Sequence, residues 1–341
     1  MLVTSIGSLP FVDIDQAIDL IFRSCPEIPF WPQLPNRSFL EGMYVQSLER
    51  VPAVRVDEEL GKVYVDTDAV EGIEAFYEDF SNGRMDSFAI SEERAPGFYR
   101  LLERLREVED TTRYVKTQLT GPFTMGLGLK DGSGKPIIYN DAYFDIIKKA
   151  LRGKAEWMIR TIKAQGSGRK VILFFDEPAM VSFGSAFVSV SKEDVVSMFD
   201  EVAQGLDALV GIHVCGNTDW SALLGAKIDI INYDAFNFMD TLFYFRSDLS
   251  AFLERGGMVA PGIVPSSAED LDRTKQEDVL RLWETAQRLF SEVRGGEKAS
   301  WLATTACGLA TTSCGLGTLS EAHATRALDL LRRLADAVEA C

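Results

Sequence analysis

His213 and Cys215 offer the most concentrated chemistry in the chain. The chain has 2 histidines and 5 cysteines, and one of each stands in the stretch Gly211-Ile212-His213-Val214-Cys215-Gly216-Asn217. The run Leu206 to Val214 is short and apolar and stops at Gly216-Asn217, which reads as a buried strand entering a loop. Residues two apart on a strand project to the same side. An imidazole and a thiol placed together at a strand end could hold half of a zinc site. The competing reading is a core histidine beside a small buried cysteine.

A zinc bound by His and Cys needs further ligands. Cys314 is the preferred third, because it follows the strand-like run Leu309-Ala310-Thr311-Thr312-Ser313 and precedes Gly315-Leu316-Gly317. Cys307, in the near-duplicate Thr304-Thr305-Ala306-Cys307-Gly308-Leu309, competes for that place. Asp234 ends the strand after the His-Cys strand and reads as an oxygen ligand, a partner standing behind the ligands, or a helix cap. Asp176-Glu177-Pro178 sets two carboxylates at another strand end, facing opposite ways. One could grip a substrate ammonium group while the other pairs structurally, or the aspartate could simply cap a proline-started helix. Gly126-Leu127-Gly128 lacks the glycine spacing and lysine of a phosphate loop. With only His213 and His323 present, and His323 inside the last helix, the sequence argues against a Ser-His-Asp hydrolase.

These groups need a scaffold that brings strand ends together. Strands are expected near residues 4, 29, 117, 173, 211, 231, 261 and 311, with helices between them over 13–24, 97–106, 141–165, 191–205, 218–224, 241–255, 276–293 and 320–340. Such alternation means right-handed βαβ units. Eight units in one chain of 341 residues fit an α/β fold of the (β/α)8 TIM-barrel type, a single domain over 1–341, with its active site at the C-terminal ends of the strands. A doubly wound open sheet is the alternative. Residues 38–50 look helical. Residues 54–92 differ in character: Ala53–Asp57 and Lys62–Asp66 alternate around Gly61 and read as a β-hairpin inserted into the barrel.

Composition narrows the function. The net charge of −16 argues against nucleic acid as a partner, since such binders present a basic face to phosphates. Scattered cysteines, odd in number, do not read as a disulfide framework and suit a reducing compartment. No apolar run approaches the roughly 20 residues that span a bilayer, and the N-terminus has no signal-peptide pattern. The expectation is a cytoplasmic enzyme that does not engage a membrane.

Ile6-Gly7-Ser8-Leu9-Pro10, Leu119-Thr120-Gly121-Pro122, Phe175-Asp176-Glu177-Pro178-Ala179, His213-Val214-Cys215 and Cys314-Gly315-Leu316 follow the order of motifs in the catalytic barrel of cobalamin-independent methionine synthase. The chain resembles that family over nearly its whole length, within the wider superfamily that includes uroporphyrinogen decarboxylase. The resemblance implies a zinc-dependent methyltransferase acting on the thiol of homocysteine, with His213, Cys215, Asp234 and Cys314 as metal ligands. The family's acidic ligand is usually glutamate, so Asp234 is a departure. The resemblance further implies that Ile6, Gly7, Ser8 and Asp176 bind the substrate, with Gln33 or Glu41 nearest to a second family carboxylate, and that Asp176 and His213 are the catalytic residues. Because the chain starts at the catalytic barrel, the expected methyl donor is a methylated corrinoid, often protein-bound, and not free methylfolate. Another thiol such as coenzyme M, or decarboxylase chemistry, are the alternatives.

Overall fold

The computed structural model describes residues 1–108, 112–166, 168–293 and 308–339. Seven strands form one parallel sheet: β1 (Leu2–Val3), β4 (Tyr114–Thr120), β6 (Lys170–Asp176), β7 (Leu209–Val214), β8 (Ile230–Asp234), β9 (Met258–Val264) and β10 (Leu309–Thr312). Their order across the sheet is β1-β10-β9-β8-β7-β6-β4, so the first and last strands in sequence pair directly. Each crossover passes through helices, as parallel pairing requires. Two of these helices are Asp141–Lys163 and Gln276–Val293.

Alternation along the strands sorts side chains to two faces. Val210, Ile212 and Val214 of β7 belong to the large cluster shared with the helices. The opposite face builds a second apolar cluster of Leu2, Ile28, Tyr114, Ile172, Phe174, Ile230, Ala260 and Leu309. Those residues come from six of the strands and from Ile28, so the sheet curls around them.

The expected strand near residue 29 does not form, and in this the structure departs from an eight-stranded ladder. Phe30 makes an isolated parallel bridge to Lys116 and Gln33 makes one to Ser8. The reason is covalent: Pro29 and Pro32 have no N–H to donate. The segment is held by what remains, Lys116 N to the Pro29 carbonyl (2.9 Å), Trp31 N to the Lys116 carbonyl (3.0 Å) and Gln33 N to the Gly7 carbonyl (3.1 Å). The helix Pro96–Leu105 closes on it from outside, where a Cβ on Gly97 would lie 2.3 Å from the Pro32 carbonyl oxygen.

The expected hairpin forms from β2 (Val54–Asp57) and β3 (Lys62–Val65), paired antiparallel, and β5 (Lys130–Asp131) adds to it in parallel. The helix expected over 38–50 is broken into a 3-10 turn, Phe39–Glu41, and a short helix, Met43–Ser47. Gly42, extended at ψ 141°, separates them. No described helix is long and apolar enough to cross a membrane.

Candidate metal centre

Strand register brings the polar groups side by side. Asp176 of β6 pairs with His213 of β7, and His213 pairs with Asn232 of β8. All three therefore face the inside of the curl in one lateral row near the strand ends. Cys215 lies just past the end of β7 and Cys314 just past β10. The donor atoms of His213, Cys215 and Cys314 all lie within 4.8 Å of one another.

The histidine is oriented from behind. Its Nδ1 lies 2.5 Å from Asn232 Oδ1. The Asn232 amide cannot turn round, because its Nδ2 donates to the Ala260 carbonyl (2.6 Å) and to Thr311 Oγ1 (2.7 Å). An acceptor facing Nδ1 places the ring proton there and leaves the lone pair on Nε2. That Nε2 is buried and makes no hydrogen bond. A buried, unsatisfied lone pair is costly unless something binds it. Two sulfurs and one imidazole nitrogen form a donor set that favours a soft or borderline divalent cation.

The two thiols shift each other in opposite directions as acids. Cys215 is pushed down as an acid by the hydrogen bond from Cys314, against the cost of burial and with help from His213. Cys314 is pushed up by holding that hydrogen bond, by burial and by the neighbouring thiolate. A divalent cation reverses that opposition, since a coordinating thiol is deprotonated outright.

Asp234 falls outside this donor group. Its Oδ1 accepts from Asn237 N (2.9 Å) and its Oδ2 from Asn237 Nδ2 (2.8 Å), capping the short helix Ala235–Phe238. One methylene shorter than the glutamate usual in the resembling family, it caps the helix start. The structure thus assembles three of the four expected ligands. Cys307 lies outside the described residues.

Beside the donors is a cavity of about 480 Å³, lined among others by Ile6, Ser8, Gln33, Glu41, Asp176, His213, Cys215 and Cys314. Of the expected substrate-binding residues, only Gly7 does not line it; at φ +144°, it turns the chain between Ile6 and Ser8. Asp176 Oδ1 and Glu41 Oε2 are both buried without hydrogen-bond partners. Burial raises Asp176, with Lys116 and His213 opposing. Burial also raises Glu41 to about 7, with Arg37 opposing through a 2.8 Å contact to Oε1. Two unsatisfied carboxylate oxygens in one cavity suit a cationic group. Glu177 faces the other way, accepting from Phe123 N (3.0 Å) and Thr124 N (2.7 Å) at the start of the helix Pro122–Gly128. The adjacent carboxylates thus divide into one at the cavity and one structural cap.

Three residues that matter here are absent from the sequence reading: Asn232, Lys116 and Gln46. Each is a polar residue buried in the sheet or packed against it. Gln46 Oε1 accepts from Gln33 Nε2 at 2.8 Å and so fixes a cavity wall.

Neither a protein-family model nor a curated protein matches the sequence. Among solved structures, the chain is similar to a Listeria monocytogenes protein described provisionally as a vitamin-B12-independent methionine synthase. The two share 15% identity at a TM-score of 0.55, over 95% of this chain and 85% of that one. At that identity the likeness concerns the fold: an α/β architecture with a curled parallel sheet.

Proposed function

We propose that the protein is a zinc-dependent methyltransferase that methylates the thiol of homocysteine to give methionine. The observation that carries the reading is His213 Nε2, oriented through Asn232 and left without a partner beside Cys215 and Cys314. The fold likeness and the order of the sequence motifs support the same reaction class. Zinc held by these three residues would lower the pKa of an incoming thiol, so that it is a nucleophilic thiolate at neutral pH.

The chain's own residues do the rest. Asp176 and Glu41 receive the substrate ammonium, and the Ile6–Ser8 turn faces its carboxylate. Fixing the amino-acid end aims the sulfur at the methyl group, and alignment of that kind is worth several powers of ten in rate. The barrel belonging to this reading is completed by residues 27–33, and the donor is a methylated corrinoid. The donor assignment rests on the sequence resemblance.

The test crosses homocysteine and coenzyme M with methylcobalamin and methyltetrahydrofolate. Methionine should form from homocysteine and methylcobalamin. Turnover with methyltetrahydrofolate alone would remove the corrinoid, and absence of methyl transfer to either thiol would remove the function. Metal analysis should find about one zinc per chain in the wild type and little in His213→Ala or Cys314→Ser. Full occupancy in both variants would refute the site.

A further inference from the structure

Lys116 is a lysine with no solvent exposure, on the inner face of β4. It is paired with Ile172 and does not line the cavity. Its Nζ stands 4.9 Å from the centroid of the Phe174 ring. It donates to the Ile6 carbonyl and, at 2.9 Å, to Gln118 Oε1. Gln118 in turn donates from Nε2 to the Trp31 carbonyl at 2.9 Å. A chain of hydrogen bonds therefore runs from Trp31 through Gln118 and Lys116 to Ile6. It crosses the seam where prolines leave the sheet without a regular ladder.

That chain ends, at Ile6, on a wall of the cavity. Ile6 opens the Ile6-Gly7-Ser8 turn, and Gly7 is packed so closely on Gln118 that a Cβ there would lie 2.2 Å from Nε2. Asp176, across the cavity, is the acidic group whose electrostatic field Lys116 shares. The metal donors are not part of the network. His213 is held through Asn232, Ala260 and Thr311 on the other side.

We infer that Lys116 is a positioning residue that holds the amino-acid-binding half of the cavity, and so sets selectivity for an α-amino-acid thiol over a plain thiol, independently of the metal donors. This inference rests on the function proposed above. A lysine suits the task because a compact ammonium can donate in several directions at once, and because buried donors pinned at both ends hold backbone in one place. The other deeply buried lysine, Lys154, makes a useful control. It lies on the helix Asp141–Lys163 and donates to the Glu49 carbonyl at 2.8 Å, away from the cavity lining.

The experiment compares wild type, Lys116→Met and Lys154→Met by calorimetric binding of methionine, by zinc content, and by KM for homocysteine against KM for 1-propanethiol. In Lys116→Met, methionine binding should weaken at least tenfold and homocysteine KM rise in step. Zinc content and 1-propanethiol kinetics should stay as in the wild type, and Lys154→Met should bind methionine normally. Unchanged methionine affinity in Lys116→Met, or equal losses on both thiols, would overturn the inference and leave the function standing. Failure of the wild type to bind methionine or homocysteine would overturn the function, and the inference with it. If Lys116→Met does not fold, Gln118→Met, which removes the second acceptor of Lys116, carries the same expectation.

Discussion

The candidate metal centre depends on one asparagine as much as on its three donors. Asn232 fixes which ring nitrogen of His213 is free, so Asn232→Leu should lower zinc affinity by about 10–100-fold, the usual cost of losing a residue that orients a metal-binding histidine. Competition against a chromophoric chelator reads this directly, and an unchanged affinity would mean that the ring is oriented by something else. Glu41 gives a second expectation. Its folded value of about 7 lies above the ordinary 4.5, so its contribution to stability is complete below the ordinary value and fades as pH rises through about 7. Binding of an ammonium group runs the opposite way, because only the ionised carboxylate attracts it. Methionine affinity should therefore climb as pH passes about 7, and Glu41→Gln should flatten both profiles. His213, Cys215 and Cys314 were legible because their types are scarce and each follows an apolar run. Asn232 and Lys116 were legible only in part. Each is a polar residue in an otherwise apolar strand, a pattern that announces a buried partner without naming it, since the partners lie on strands distant in sequence.

The elements place these side chains through register, and the weakest register is at the seam between β1 and β4. The segment there has the apolar, aromatic character of a strand, and that character does take it into the core, with Ile28, Phe30 and Trp31 fully buried. Pro29 and Pro32 nevertheless deny the segment a ladder, so side chains of Lys116 and Gln118 do part of the work of backbone pairing. Helices were easier to read. Gln276–Val293 has the expected bounds, and Ser191 forms the expected cap with Asp194 (3.0 Å). Caps and apolar periodicity are local signals, whereas a seam is set by distant contacts. The seam's dependence on close packing leads to a prediction. Gly7 has φ +144° and no room for a Cβ against Gln118, so Gly7→Ala should cost about 2–4 kcal/mol from strain and overpacking together. Urea unfolding measures the loss. A cost below about 0.5 kcal/mol, the scale of ordinary surface changes, would show that the turn relaxes and that the seam is not rigid.

At the scale of the whole molecule, charge and candidate metal donors are unevenly spread. Residues 54–92 carry eleven acidic against three basic residues, half of the net charge of −16, so the inserted hairpin region is strongly acidic while the rest of the chain is only moderately so. The three candidate metal donors come from two strand ends separated by about a hundred residues of sequence, yet both ends belong to a sheet whose two apolar clusters include none of the donors and whose ladder uses only the backbone of His213. The scaffold should therefore stand without the metal, unlike small zinc domains, in which binding and folding are one event. Chelation should abolish methyl transfer yet leave far-UV circular dichroism and a cooperative thermal transition. Returning zinc at about a hundredfold excess over its Kd adds about 2.7 kcal/mol to stability, which for a chain this large corresponds to a rise in Tm on the order of 5 °C. Loss of the cooperative transition in the chelated protein would reverse the assignment: the metal would then hold the strand ends together, and His213, Cys215 and Cys314 would form a structural clamp with no position left for a substrate thiol.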